Sequence, residues 1–156
     1  MAGFTLIEVL IATLLVGFSI AALMAANGTL TMANGAGTDQ STAEFLVEQI
    51  RELTATLAVV DPTTGTATFG HEEASVISYD DVDDFDGAVF SPPIGANRAA
   101  LAEFPGFSQK IVVQNVSPSN FGQVVADHGS QFVRITVHVL LNGRDLSSAS
   151  WLRARY

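Results

Sequence analysis

The feature that most constrains this chain is a long stretch without charge. From Val9 to Ala26 it reads VLIATLLVGFSIAALMAA. With Phe4–Ile7 in front, the apolar run is about 23 residues, roughly 35 Å as a helix, which is enough to cross a hydrocarbon core. Three readings compete: a plain membrane anchor, a cleaved secretory signal, and a helix specialised for assembly. A cleaved signal carries a basic segment ahead of its apolar centre. Ala22, Ala25 and Ala26 offer small residues for a cut, but no Lys or Arg precedes Arg51. That disfavours an ordinary signal.

The remaining composition sorts by position. The chain has 156 residues and a formal net charge of −9, from 16 acidic and 7 basic side chains. Before Asp39 the one charged side chain is Glu8, whereas residues 39–86 hold twelve acids against Arg51 alone. Residues 87–156 carry three acids and six bases. An apolar end is thus joined to a polar body of a size that supports one core. The acidity argues against nucleic acid as a partner, because phosphate neutralisation needs a basic patch. With no cysteine, disulfides, thiol catalysis and cysteine-held zinc are excluded.

Glu8 is the informative residue. A carboxylate in a membrane-spanning helix costs about 2.5–3.5 kcal/mol, so its presence is a functional signal unless it reaches the interface at the helix end. No basic side chain lies near it in sequence, so a positive partner would be a terminus or another molecule. The segment Gly3-Phe4-Thr5-Leu6-Ile7-Glu8-Val9-Leu10 resembles the processing and N-methylation motif of type IV pilins and of the related pseudopilins of type II secretion. The resemblance implies several things. Residues 1–3 would be a leader, removed by a prepilin peptidase that cuts between Gly3 and Phe4 and methylates the new amine of Phe4. Glu8 would pair with the Phe4 ammonium of a neighbouring subunit and set its register. Partners would be other pilin or pseudopilin subunits, the peptidase and an inner-membrane assembly platform. The chain would sit in the inner membrane as a precursor, then in a periplasmic or cell-surface filament, as a structural subunit and not an enzyme; the alternatives are a minor pseudopilin of a type II secretion system and a membrane-anchored, calcium-dependent binding module that does not polymerise. The leader Met-Ala-Gly carries no basic residue, and the carboxy-terminal cysteine pair of many type IV pilins is missing.

The expected fold class is α+β: a long N-terminal helix packed on a small antiparallel sheet. The helix is expected over 4–58 and a β-rich body over 59–156. Asn27-Gly28, Asn34-Gly35 and Gly37 leave two options, a loop after Ala26 or one long helix with soft points. Leu46, Ile50, Leu53 and Leu57 form one apolar stripe at helical spacing. Ser41 and Glu44 suggest a capping box, with Thr38 and Asp39 as other starts. Asp61-Pro62 ends the pattern. Phe132–Leu141 alternates apolar and polar residues as a half-buried strand does. Asn142-Gly143 then turns the chain into a returning strand over Asp145–Arg155, with Trp151, Arg153 and Arg155 on one face. Lys110–Val116 reads as another strand, and Val76–Tyr79 as a short one.

Between Tyr79 and Gly87 the chain places Asp80, Asp81, Asp83, Asp84 and Asp86 within seven positions. Such density suggests Ca²⁺, although the spacing is not that of an EF-hand. The other readings are a solvated acidic loop and salt bridges to Arg153 and Arg155. The segment and the later Pro92-Pro93 also resemble minor pilins of the mannose-sensitive haemagglutinin type and PilV-like proteins. Asp127-His128-Gly129-Ser130 contains triad residue types, but adjacent residues rarely form a triad, and a turn is expected. His71, His128 and His138 are scattered, and no phosphate-binding loop or metalloprotease motif occurs.

Overall fold

The computed structural model describes residues 3–155. Of the expected leader, Met1 and Ala2 lie outside the described residues. The fold is α+β, one long helix and a five-stranded antiparallel sheet. The helix α1 runs Leu6–Ala55 without a break. It passes straight through Asn27-Gly28 and Asn34-Gly35, so the loop considered after Ala26 is absent. A glycine costs about 1 kcal/mol against alanine in a helix, and the surrounding Ala, Leu and Met carry the helix over it. Hydroxyls along this stretch bond back to the helix itself: Thr13 to the Val9 carbonyl, Ser19 to Leu15 and Thr31 to Asn27. No polar group there depends on water for its partner in those bonds.

The chain divides into two compact units, Met1–Asp39 and Gln40–Tyr156. In the first, every described residue from Gly3 to Thr38 is exposed. The second holds the core. There α1 buries Ala43, Leu46, Val47, Ile50 and Leu53, the three-and-four spacing of one helix face. Helix α1 ends before the expected Ala58, because Ala58 has left the helix to bridge Asp81 and to accept the Val82 N–H at 3.0 Å.

The strands are β1 (Val89–Phe90), β2 (Phe107–Ser117), β3 (Asn120–Val124), β4 (Phe132–Leu141) and β5 (Arg144–Ala154). Their order is β1-β2-β4-β5, with β3 paired to β2. Register pairs Ile111 with Val137, Val113 with Ile135, and Ile135 with Trp151, so inward residues stack across strands. Val133, Ile135, Val137 and Val139 fill the core from β4 as their alternation predicts. The expected strand at Val76–Tyr79 is instead a turn. Tyr79 there packs edge-on against Phe85, centroids 5.0 Å apart.

Two buried polar side chains join the layers. Gln109, fully buried on β2, donates to the Leu46 carbonyl of α1 and to the Ile94 carbonyl, and it accepts the Ile94 N–H at 2.8 Å. Asn115 donates to the Ser130 carbonyl and accepts the His128 N–H. At the end of α1, the Arg153 guanidinium of β5 donates to the Thr54 and Leu57 carbonyls. The Thr54 carbonyl is one of those that a helix end leaves without a partner, and Leu57 lies just beyond the last turn.

Candidate functional site

Two places carry chemistry, one in each unit. The first is the start of α1. The Glu8 carboxylate accepts the Thr5 backbone N–H and the Thr5 hydroxyl, each at 2.8 Å, while the Glu8 N–H faces the Thr5 oxygen at 3.4 Å. Thr5 and Glu8 therefore close a capping box around the first turn. The signal for it, a Thr followed three residues later by a Glu, stands in the sequence; the Ser41–Glu44 pair of the same spacing caps nothing, because it lies inside the unbroken helix. Gly3 and Phe4 are exposed just ahead of the helix. A side chain at Gly3 would meet nothing within 4 Å, so the fold itself does not require glycine there.

The second place is the acidic segment. Val82 and Phe85 are fully buried, and they point inward from a 3₁₀ turn over Asp83–Phe85. Anchoring these two carries the intervening acids inside: Asp81, Asp83 and Asp84 are 1%, 3% and 1% exposed. A freely solvated loop is thus replaced by a buried one, with Asp80 exposed at its edge. The five aspartates separate. Asp86 accepts the Val113 N–H at 2.8 Å and pins the segment to β2. Asp83 turns toward His128, whose Nε2 lies 3.8 Å from its Oδ2. Asp80, Asp81 and Asp84 gather with three acids from an earlier part of the chain, Asp61, Glu72 and Glu73. Those three were not singled out in the sequence, since nothing in spacing alone brings residue 61 to residue 81. Arg153 and Arg155 do not answer this charge. Among the described residues Arg51 pairs with Glu48, and two imidazoles lie beside carboxylates, His128 by Asp83 and His138 by Asp145.

Burial shapes the titration of the cluster. It pushes Asp81 up to about 8, and a facing Asp83 carboxyl adds to this. It pushes Asp84 up to about 7, with the Glu73 carboxyl adding. Asp61 behaves oppositely. The Thr64 N–H holds it below the ordinary carboxylate range, with the Thr63 N–H also donating to it.

The Asp127–Ser130 segment forms the expected turn, closed by the Gly129 N–H on the Ala126 carbonyl. The Ser130 hydroxyl donates to the Val116 carbonyl at 2.6 Å, and His128 Nε2 lies 2.5 Å from the Thr68 carbonyl. His138 pairs with Asp145 on the surface at 2.7 Å.

Together these features define a class: an α+β protein whose one long helix joins the core by its final turns. That helix is long and apolar enough to cross a membrane, near the N-terminus where an anchor or a secretion signal lies. Comparison of the chain with models of protein families, with curated proteins and with solved structures finds no match in any of the three.

Proposed function

We propose that the chain is a structural, non-enzymatic subunit of a type IV pilus-like filament, of the minor pilin kind. The observation that carries this reading is the state of α1. Its large apolar side chains from Phe4 to Met32 are all exposed in the single chain. Burying such side chains is worth about 1.5–3 kcal/mol each, on the order of tens of kcal/mol in sum. A helix of this kind requires lipid or other apolar helices around it. Lipid tails and packed helices are both apolar, so transfer from one to the other costs little hydrophobic energy. The α+β architecture, with the last turns of the helix laid on an antiparallel sheet, accords with a pilin-like body.

In this reading the precursor sits in the inner membrane, and a prepilin peptidase cuts between Gly3 and Phe4 and methylates the Phe4 amine. The new ammonium lies beside the first turn, where Glu8 is the only carboxylate. A buried ion pair fixes register more than it adds stability. Glu8 therefore selects the position of each incoming subunit against Phe4 of its neighbour, on the assembly platform of a pilus or a secretion system. Mass spectrometry of the chain recovered from membranes and sheared filaments, after expression beside a prepilin peptidase, tests this. The expected peptide begins at Phe4 and carries one added methyl group. Peptides that retain Gly3 throughout would overturn the processing step and leave an uncut anchor.

A further inference from the structure

We propose that the open edge of β5 docks side by side on the β1 and β3 edge of a second copy of this chain, both copies running in the same direction. The two sides of the sheet are finished differently. On the β2 side the backbone is answered within the chain. Ile111 exchanges bonds with Gly87 and Ala88 at 3.1 and 3.0 Å, Asp86 accepts the Val113 N–H, and the Val125 N–H reaches the Asn115 carbonyl at 3.0 Å. β5 is the last strand in the order β1-β2-β4-β5. Among the described residues no bond from outside β4 reaches the backbone of 144–154. This 11-residue strand therefore presents a row of unanswered N–H and C=O groups, a template for another strand. Proteins that stay apart blunt such an edge with charge, proline or a covering segment. From Leu146 to Leu152 this edge reads LSSASWL, with no charge and no proline. A bulge interrupts it only near its start, opposite Val139 and Leu140.

Charge complementarity names the occupant. Four exposed ionic side chains stand at the two ends of the sheet. At the end where Phe107 pairs with Leu141, Glu103 leads into β2 and Arg144 opens β5. At the other end Asp127 follows β3, and Arg155 follows β5 with its N–H on the Gln131 carbonyl. None of the four belongs to an ion pair in the single chain. Each end thus carries an anion beside β2 or β3 and a cation on β5. A neighbour in the same orientation sets Arg144 beside Glu103 and Arg155 beside Asp127. A two-fold pairing of β5 with itself is antiparallel and sets Arg144 beside Arg155 of the second copy. Like charges opposite one another destabilise a strand pair. The contact between unlike edges is therefore favoured over the symmetric one.

Strand direction agrees with this arrangement. Arg51 of α1 stacks on Trp151, and Thr54 and Leu57 meet Arg153, so the last turns of α1 run the same way as β5. Copies whose helices share one direction, as the filament reading requires, offer β5 edges that share it too. The inference rests on that reading for the shared direction and adds which surfaces of the body meet. β1, β3 and β4 are each antiparallel to β2, and β5 is antiparallel to β4. β1 and β3 of the neighbour therefore meet β5 as antiparallel strands, the more stable pairing. Val89, Phe121 and Val124 on that side and Leu152 on β5 are exposed and supply apolar contact. A contact between two unlike patches repeats from copy to copy, as an extended assembly needs.

The test uses the full chain in membranes, expressed beside a prepilin peptidase. The chain has no cysteine, so single introduced thiols report contacts without background. One copy carries Ser148→Cys or Leu152→Cys, both exposed on β5. A differently tagged copy carries Ala102→Cys beside Glu103 or Ala126→Cys beside Asp127, also exposed. A short thiol crosslinker should join the Ser148 site to the Ala102 site, and the Leu152 site to the Ala126 site, at least about tenfold more than the two crossed combinations. Reversing both cations, Arg144→Glu with Arg155→Glu, should lower the matched products at least about tenfold. Glu103→Arg with Asp127→Arg in the second copy should restore them, which a misfolded variant would not do. Equal matched and crossed yields, a predominance of products between two β5 sites, or matched products that survive the charge reversal would overturn the contact. The amino-terminal peptide is read in the same material. Chains processed at Phe4 without matched products overturn this contact alone, whereas matched products on chains that retain Gly3 support the contact and overturn the processing step.

Discussion

At Glu8 one carboxylate serves the first turn of α1 and, in the proposed filament, a neighbouring amine. The two roles separate by substitution. Glu8→Gln keeps an acceptor for the Thr5 N–H but removes the charge, whereas Glu8→Ala removes both and opens the capping box. The Gln variant should retain the helical content of the unmodified chain by circular dichroism. Its incorporation into filaments, read by immunoblot of sheared material, should fall as far as that of the Ala variant. Incorporation of the Gln variant at the unmodified level would remove charge pairing from assembly. Gln109 is the matching case in the body. Gln109→Leu leaves the buried Ile94 N–H without its acceptor and should lower stability by about 1–3 kcal/mol in thermal unfolding. Neither arrangement was read from sequence in full. Glu8 stood out because charge is rare around it. Gln109 did not, because a polar residue on an inward position looks like a break in the strand, and the bonds that satisfy it come from Ile94 and Leu46.

The elements that were legible are those with one wet and one dry face. β4 declares itself by strict alternation, and the last turns of α1 by their three-and-four stripe. β2 begins at Phe107, before the expected Lys110, because Gln109 interrupts the apolar pattern on its buried face. β3 is exposed along its whole length, so no burial pattern marks it. β1, with two residues, is too short to show one. Glycines in α1 cost too little individually to decide whether a helix stops. The C-terminal end of α1 depends on Arg153, almost a hundred residues later in the chain, and on the Arg51 guanidinium stacked 5.1 Å over Trp151. The sequence placed Arg153 and Trp151 on one strand face without indicating what that face meets. Arg153→Ala removes both charged bonds, to the Thr54 and Leu57 carbonyls, and should cost about 1.5–3 kcal/mol. Hydrogen exchange at the amides of 53–57 should accelerate more than in β4. Arg153→Lys should recover only part of this, since an ammonium lacks the planar fork that reaches two carbonyls.

Across the whole molecule, most of the acids behind the net charge of −9 face solvent, but Asp61, Asp81, Asp83 and Asp84 are buried. Asp81 and Asp84 are buried, and burial favours their protonated forms. Their folded values of about 8 and about 7 lie above the ordinary 3.8 of aspartate. The folded chain therefore holds protons that the unfolded chain releases, and stability must decrease as pH rises between these limits. Asp61, shifted downward, acts the other way, but only as pH falls below its ordinary value, outside this window. Tm should be highest near pH 4–5 and drop steadily toward pH 8. A profile that rises from pH 5 to pH 8 would mean that the buried aspartates are ionised in the folded chain.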